Sequence, residues 1–215
     1  DQGATYEKHW AYAPLKTNFE NTTLSETIDE LVERELLAQG LHRNPEADET
    51  TLLRRLHLDL TGLPPTREQI ESYLREESGD RYANRVSQLL ESPQYGERMA
   101  MYWLDLVRYA DTVGYHGDQD HAITPYRDWV IYAFNRDMPF DEFSRDQLAG
   151  DLLHEATVDQ RIASGYNRLL QTSHEGGVQQ KEYLAKYASD RVRNFSMVWL
   201  GSTLGCCECH DHKYD

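Results

Sequence analysis

From Thr23 onward the chain spells one helix after another: apolar residues recur at spacings of three and four, and no alternating stretch of convincing length suggests a strand. That pattern restricts the fold to a mainly α, irregular multi-helix domain over residues 23–215, preceded by an extended, aromatic-rich arm over residues 1–22. Thr23 with Glu26 forms a capping box ahead of Ile28, Leu31, Val32 and Leu36, and Gly40 supplies the stop. A second helix is predicted from about residues 47–49, carrying Leu52, Leu53, Leu56 and Leu60 until Gly62-Leu63-Pro64-Pro65 breaks it. Thr66 with Gln69 opens a third, and Ser78-Gly79-Asp80 a fourth bearing Ala83, Val86, Leu89 and Leu90. Ser92-Pro93 reads as a cap followed by proline, starting a helix with Met99, Trp103, Leu106, Val107 and Ala110 that is expected to reach residues 112–114. Thr124-Pro125 repeats the device before Trp129, Val130, Ala133 and Phe134. Pro139-Phe140-Asp141 and Thr157 with Gln160 cap two further runs. The longest periodic segment, residues 179–200, places Leu184, Ala188, Phe195, Val198 and Trp199 on one face.

After Gly201 and Gly205 comes Cys206-Cys207-Glu208-Cys209-His210, which holds all three cysteines of the chain. Cys-x-x-Cys-His is the attachment signature of c-type haem: two thiols add to the porphyrin vinyl groups and the adjacent imidazole reaches the iron. Cys206, Cys209, His210 and His212 could instead supply a tetrahedral zinc site, but ligands so close together strain one tetrahedron and no distant cysteine completes it. A thioredoxin-like pair belongs to a strand-to-helix junction, which this pattern lacks.

The charge balance narrows the partners. A formal net charge of −15 and a pI near 5.0 argue against nucleic acid and anionic membrane surfaces, since Lys and Arg would have to neutralise phosphates. The same acidity suits docking on a basic redox partner, and a merely soluble surface accounts for it equally well. No run of 18 or more apolar residues appears, so no membrane span is expected. Haem attachment of this kind takes place outside the cytoplasm. The expected location is therefore periplasmic or otherwise extracytoplasmic, with Asp1 left by signal-peptide removal.

Several motifs taken together carry a resemblance: His9-Trp10-Ala11-Tyr12-Ala13-Pro14, Leu58 to Pro65, Tyr95-Gly96-Glu97-Arg98, Arg108-Tyr109-Ala110-Asp111, Tyr126-Arg127-Asp128-Trp129, Gln147 to Asp151, Glu175-Gly176-Gly177 and Cys206 to Asp215. The chain resembles the planctomycete cytochrome c-like family of secreted proteins, in its N-terminal domain of unknown function that ends in Cys-x-x-Cys-His-Asp-His-Lys. The resemblance implies haem c without supplying a reaction. It also implies a continuation past the motif into a second domain, so a cut after Asp215 with the C-terminal fragment still docked is expected.

Cys206 and Cys209 are the expected haem attachment points and His210 the proximal iron ligand. For the opposite face His9 is the first candidate, followed by His121 and His116, then Met138 and Met197. His212 lies on the same short turn as His210, and a long helix separates His174 from the motif by roughly 30 Å. Asp111, His116, Asp118, Asp120 and His121 form a polar loop able to hold a divalent cation such as calcium, or to line a carbohydrate cleft, or simply to be solvated. Asp105, Arg108 and Asp111 recur at helical spacing and are expected to share a face as a bracing ion-pair network. Glu175 before two glycines is a candidate buried acid or a structural turn. Three functions follow: an oxidoreductase linked to polysaccharide breakdown, an electron-transfer cytochrome with six-coordinate haem, and a haem-stabilised binding module without turnover.

Overall fold

The computed structural model describes residues 13–14, 24–173 and 175–212 and, of residues 24–27, the backbone alone. The chain divides into two compact units, Asp1–Ala47 and Asp48–Asp215. In the first, α1 (Leu24–Ala38) ends near Gly40, whose φ of +67° is the left-handed conformation that closes helices. Arg43 of the following segment donates to the Asp29 carboxylate at 3.1 Å and to the Asp29 carbonyl at 2.7 Å.

The second unit contains α2 (Glu49–Thr61), α3 (Arg67–Arg75), α4 (Arg81–Leu90), α5 (Pro93–Leu106), α6 (Thr124–Asn135), α7 (Phe140–Ala149), α8 (Val158–Ala163) and α9 (Gln180–Trp199). No strand occurs among the described residues, only an isolated antiparallel bridge between Thr112 and Asp120. The mainly α, irregular multi-helix architecture is as the periodicity predicts.

Some helix ends follow the sequence signals and some do not. The Asp48 side chain accepts from the Thr51 amide, Gly62 ends α2 with φ +72°, and Thr66/Gln69 and Thr157/Gln160 form reciprocal capping boxes. Ser92, by contrast, donates its hydroxyl to the Leu89 carbonyl at 2.7 Å and leaves the start of α5 to Pro93. Thr124 is already helical, with Ile123 at the cap position. The helix expected to reach residues 112–114 stops at Leu106, because Arg108 takes φ +61° and turns the chain away. Asp105, Arg108 and Asp111 therefore do not share a helical face. Arg108 instead pairs with Asp190 of α9 at 2.6 and 2.9 Å and donates to the Leu169 carbonyl, while Asp111 accepts from the Tyr109 hydroxyl at 2.9 Å.

The core is aromatic. Trp103 of α5 meets Phe143 of α7 edge-on at 4.8 Å and Trp199 of α9 at 5.5 Å, and Trp129 of α6 stacks on Phe143 at 5.3 Å. Ala100, Val107, Val130, Ala133 and Ala163 fill the spaces between the rings. Each large side chain so buried contributes roughly 1.5–3 kcal/mol. Gln147, fully buried, is the polar centre of this core. Its Oε1 accepts from Trp103 Nε1 at 2.9 Å and from the Tyr126 hydroxyl at 2.6 Å, and its amide donates to the Phe143 carbonyl at 3.0 Å. Burial holds the Tyr126 hydroxyl far above its usual range, so it remains a donor. The helices α5 and α6 cross closely at Gly96, where a Cβ would lie 2.5 Å from the Ile131 carbonyl oxygen.

Candidate functional site

Three anchors on α9 fix the C-terminal turn that follows it. Trp199 packs edge-on against Trp103 and against Tyr166 at 4.9 Å, and its Nε1 donates to Ser144 Oγ at 3.0 Å. Asn194, nearly fully buried, accepts from the Tyr166 hydroxyl at 3.0 Å and donates to the Leu106 carbonyl at 3.0 Å. Burial pushes the Tyr166 phenol up to about 12, which keeps that donor protonated. The Arg108–Asp190 pair is the third anchor. The helix runs unbroken through residues 194–196.

Beyond α9 the chain folds back through Gly201, at φ +58°, onto Ser196. The Ser196 carbonyl accepts from the Ser202 amide at 3.0 Å and its hydroxyl oxygen accepts from the Leu204 amide at 3.3 Å. A 3-10 turn, Gly205–Glu208, then carries the cysteine motif, and Arg193 pairs with Glu208 across it. The Cys206 carbonyl accepts from the amides of Cys209 at 3.1 Å and His210 at 3.3 Å. Cys206 lies within this turn and Cys209 at its C-terminal cap, three residues on, its amide donating back to the Cys206 carbonyl. Cys206, Cys207, Cys209 and His210 are all exposed.

His210 Nδ1 lies 2.7 Å from the Asp211 carbonyl oxygen. A carbonyl can only accept, so Nδ1 carries the proton and Nε2 keeps its lone pair for a metal. Two thiols three residues apart and an imidazole beside the second make up the donor set that a thioether-attached haem requires. They do not form a closed protein-only metal site: among the described residues no three of His, Cys, Asp and Glu come together in a group that could hold a metal ion.

The polar loop between α5 and α6 is organised by its own hydrogen bonds. Its halves are joined by the Thr112–Asp120 bridge, by Val113 donating to Gln119 and by His121 donating to the Asp111 carbonyl at 2.6 Å. Asp118, at φ +36°, accepts from the Gly114 amide at 2.9 Å. Asp111, His116, Asp118 and Asp120 are exposed, and His121 is half-buried with its pKa lowered by burial and then by the Arg168 charge. Glu175 is exposed too, so the buried-acid reading of that residue gives way to a structural turn in which its amide donates to Ser173 Oγ. Met138 packs against the aromatic core, and Met197 is half-exposed on α9. His9 and His174 lie outside the described residues.

Sequence reasoning passes over a second constellation. His57 of α2 is buried and its Nε2 has no protein partner. It lines a cavity of about 360 Å³ together with Arg85, Gln69, Gln88 and Ser92. The only signal in the sequence is a histidine between Leu56 and Leu58 on the apolar side of a helix.

Comparison with curated proteins and with solved structures finds no match. A family model does match, over residues 27–215. The chain therefore belongs to the family PSCyt2, described as a protein of unknown function (DUF1549).

Proposed function

We propose that the chain is an extracytoplasmic c-type haem protein with a redox role, in which Cys206 and Cys209 hold the porphyrin as thioethers and His210 Nε2 is the proximal iron ligand. The observation that supports the reading is the His210 Nδ1 contact with the Asp211 carbonyl at 2.7 Å, just after a turn that carries Cys206 and leads into Cys209. When bound, haem c supplies one-electron chemistry. The chain's own residues hold and tune it. The Asp211 carbonyl fixes the tautomer and raises the basicity of Nε2. Ser196 and the Arg193–Glu208 pair keep the turn on the end of α9. His9, the first candidate from the sequence, would supply the sixth ligand.

Electron exchange with a basic partner is favoured over turnover of a carbohydrate, because the polar loop is engaged in its own bridge and the surface is strongly acidic. The family resemblance adds the docked C-terminal domain as a second partner. Ultraviolet-visible spectra of the ferric and ferrous protein, with and without carbon monoxide, test the reading. A low-spin spectrum indifferent to carbon monoxide is expected, and His9→Ala is expected to admit the gas. Carbon monoxide binding by the unmodified protein would replace the carrier with an open-site enzyme.

A further inference from the structure

The cavity between α2, the Leu63-Pro64 turn and α4 is chemically unlike the rest of this acidic molecule. Its polar lining is His57, Gln69, Arg85, Gln88, Ser92 and Gln94 beside threonine and apolar side chains, and no carboxylate is among the lining residues. Arg85, half-buried, makes no ion pair among the described residues. His57 is 2% exposed, and the orphaned Nε2 of its ring is a buried polar atom of the kind that ordinarily finds a partner. Next to Gly62 stands Arg98, with its Cδ 3.2 Å from where a Gly62 Cβ would be and its Nε likewise buried without a protein partner. In a chain of net charge −15, an unpaired guanidinium facing amides and hydroxyls is a concentrated positive field. That field, after burial, is the second cause that holds the His57 pKa below its usual value.

We propose that this cavity is a binding site for a small oxyanion, its charge met by Arg85 and one of its oxygens by His57 Nε2. Guanidinium forks match the oxygen pairs of phosphate, sulfate and carboxylate. The side-chain amides of Gln69, Gln88 and Gln94 add neutral donors, and Gln69 keeps its NH₂ for this purpose because its Oε1 is already bound to the Thr66 amide. An anion here supplies the charge that the cavity lacks and turns His57 into a donor, Nε2–H to oxygen. A volume of about 360 Å³ falls within the range of small-molecule sites, about 300–1,000 Å³, so the oxyanion can be one group of a larger polar molecule.

Isothermal titration calorimetry on the full chain tests the site, using inorganic phosphate, sodium sulfate and sodium acetate as separate probes at an ionic strength held constant with chloride. Saturable binding of at least one probe is expected. It should weaken about tenfold or more in Arg85→Gln and severalfold in His57→Gln, with Arg85→Lys between. Phosphate or sulfate binding without acetate assigns a tetrahedral oxyanion, and acetate binding assigns a carboxylate. Circular dichroism checks that each variant is folded, and His57→Gln decides alone if Arg85→Gln is not. Heats that never saturate, or saturable binding untouched by the variants, would reduce the effect to an adventitious ion only and overturn the proposal.

Discussion

Gln147 and His57 are both polar residues sunk into apolar helix faces, and they differ in how their polar atoms are met. Gln147 has its carbonyl oxygen and amide satisfied inside the core, so Gln147→Leu strands the Trp103 Nε1–H and the Tyr126 hydroxyl. The expected loss is roughly 2–4 kcal/mol of unfolding free energy, read from urea denaturation at constant m-value. A loss below about 1 kcal/mol would mean that the hub is not the centre of the core.

His57 acts through the proton that it binds less readily in the folded protein. Burial and Arg85 lower its pKa from the usual 6.5, so in the folded protein it stays neutral where the unfolded chain binds a proton. Its contribution is complete above about 6.5 and is lost as pH falls below that value. In buffer free of phosphate and sulfate, the melting temperature should drop as pH is lowered from about 7.5 to 5.5, and His57→Gln should flatten part of that slope. Calorimetric scans at a series of pH values check it, and a slope unchanged by the variant would contradict it. For single residues, sequence spacing picks out candidates and misses groups that act through distant partners. Cys206, Cys209 and His210 announce themselves by spacing, whereas Gln147, Asn194, Ser196 and His57 matter through tertiary partners that no local pattern records.

Among the elements, the helix periods and the Thr66/Gln69 and Thr157/Gln160 capping boxes read correctly because they depend on residues three and four apart. The early end of α5 has its cause in the tertiary structure. Arg108 leaves the helix to reach Asp190, 82 residues on, and the bracing network expected within one helix became a tie between two segments. Gly96 is another long-range requirement that looks locally like a poor choice for a helix. Its amide donates to Asn135 Oδ1 at 2.8 Å, and its missing Cβ leaves space for the Ile131 carbonyl. Gly96→Ala must push α5 and α6 apart, for an expected loss of about 1–3 kcal/mol despite the better helix propensity of alanine. A thermal melt at or above that of the unmodified protein would show that the helices can slide without cost.

At the scale of the whole molecule, the described unit reads as an aromatic core that holds one long helix by its end, so that the turn after it is presented at the surface. The all-α class was legible from periodicity. The division after Ala47 was not, because the composition changes little there and α1 has the same amphipathic spacing as its successors. A surface of net charge −15 predicts that electron transfer to a basic partner slows steeply with added salt, as stopped-flow rates at increasing ionic strength would register. A rate indifferent to salt would remove the electrostatic part of the docking argument.

Covalent haem on the Cys206–His210 turn is checked by producing the chain alongside a c-type haem maturation system and recording its pyridine haemochrome and intact mass. The expected results are the spectrum of a haem joined by two thioethers, a mass increased by one haem that survives denaturation, and loss of both in Cys206→Ser/Cys209→Ser. A colourless protein with the mass of the bare polypeptide would contradict it.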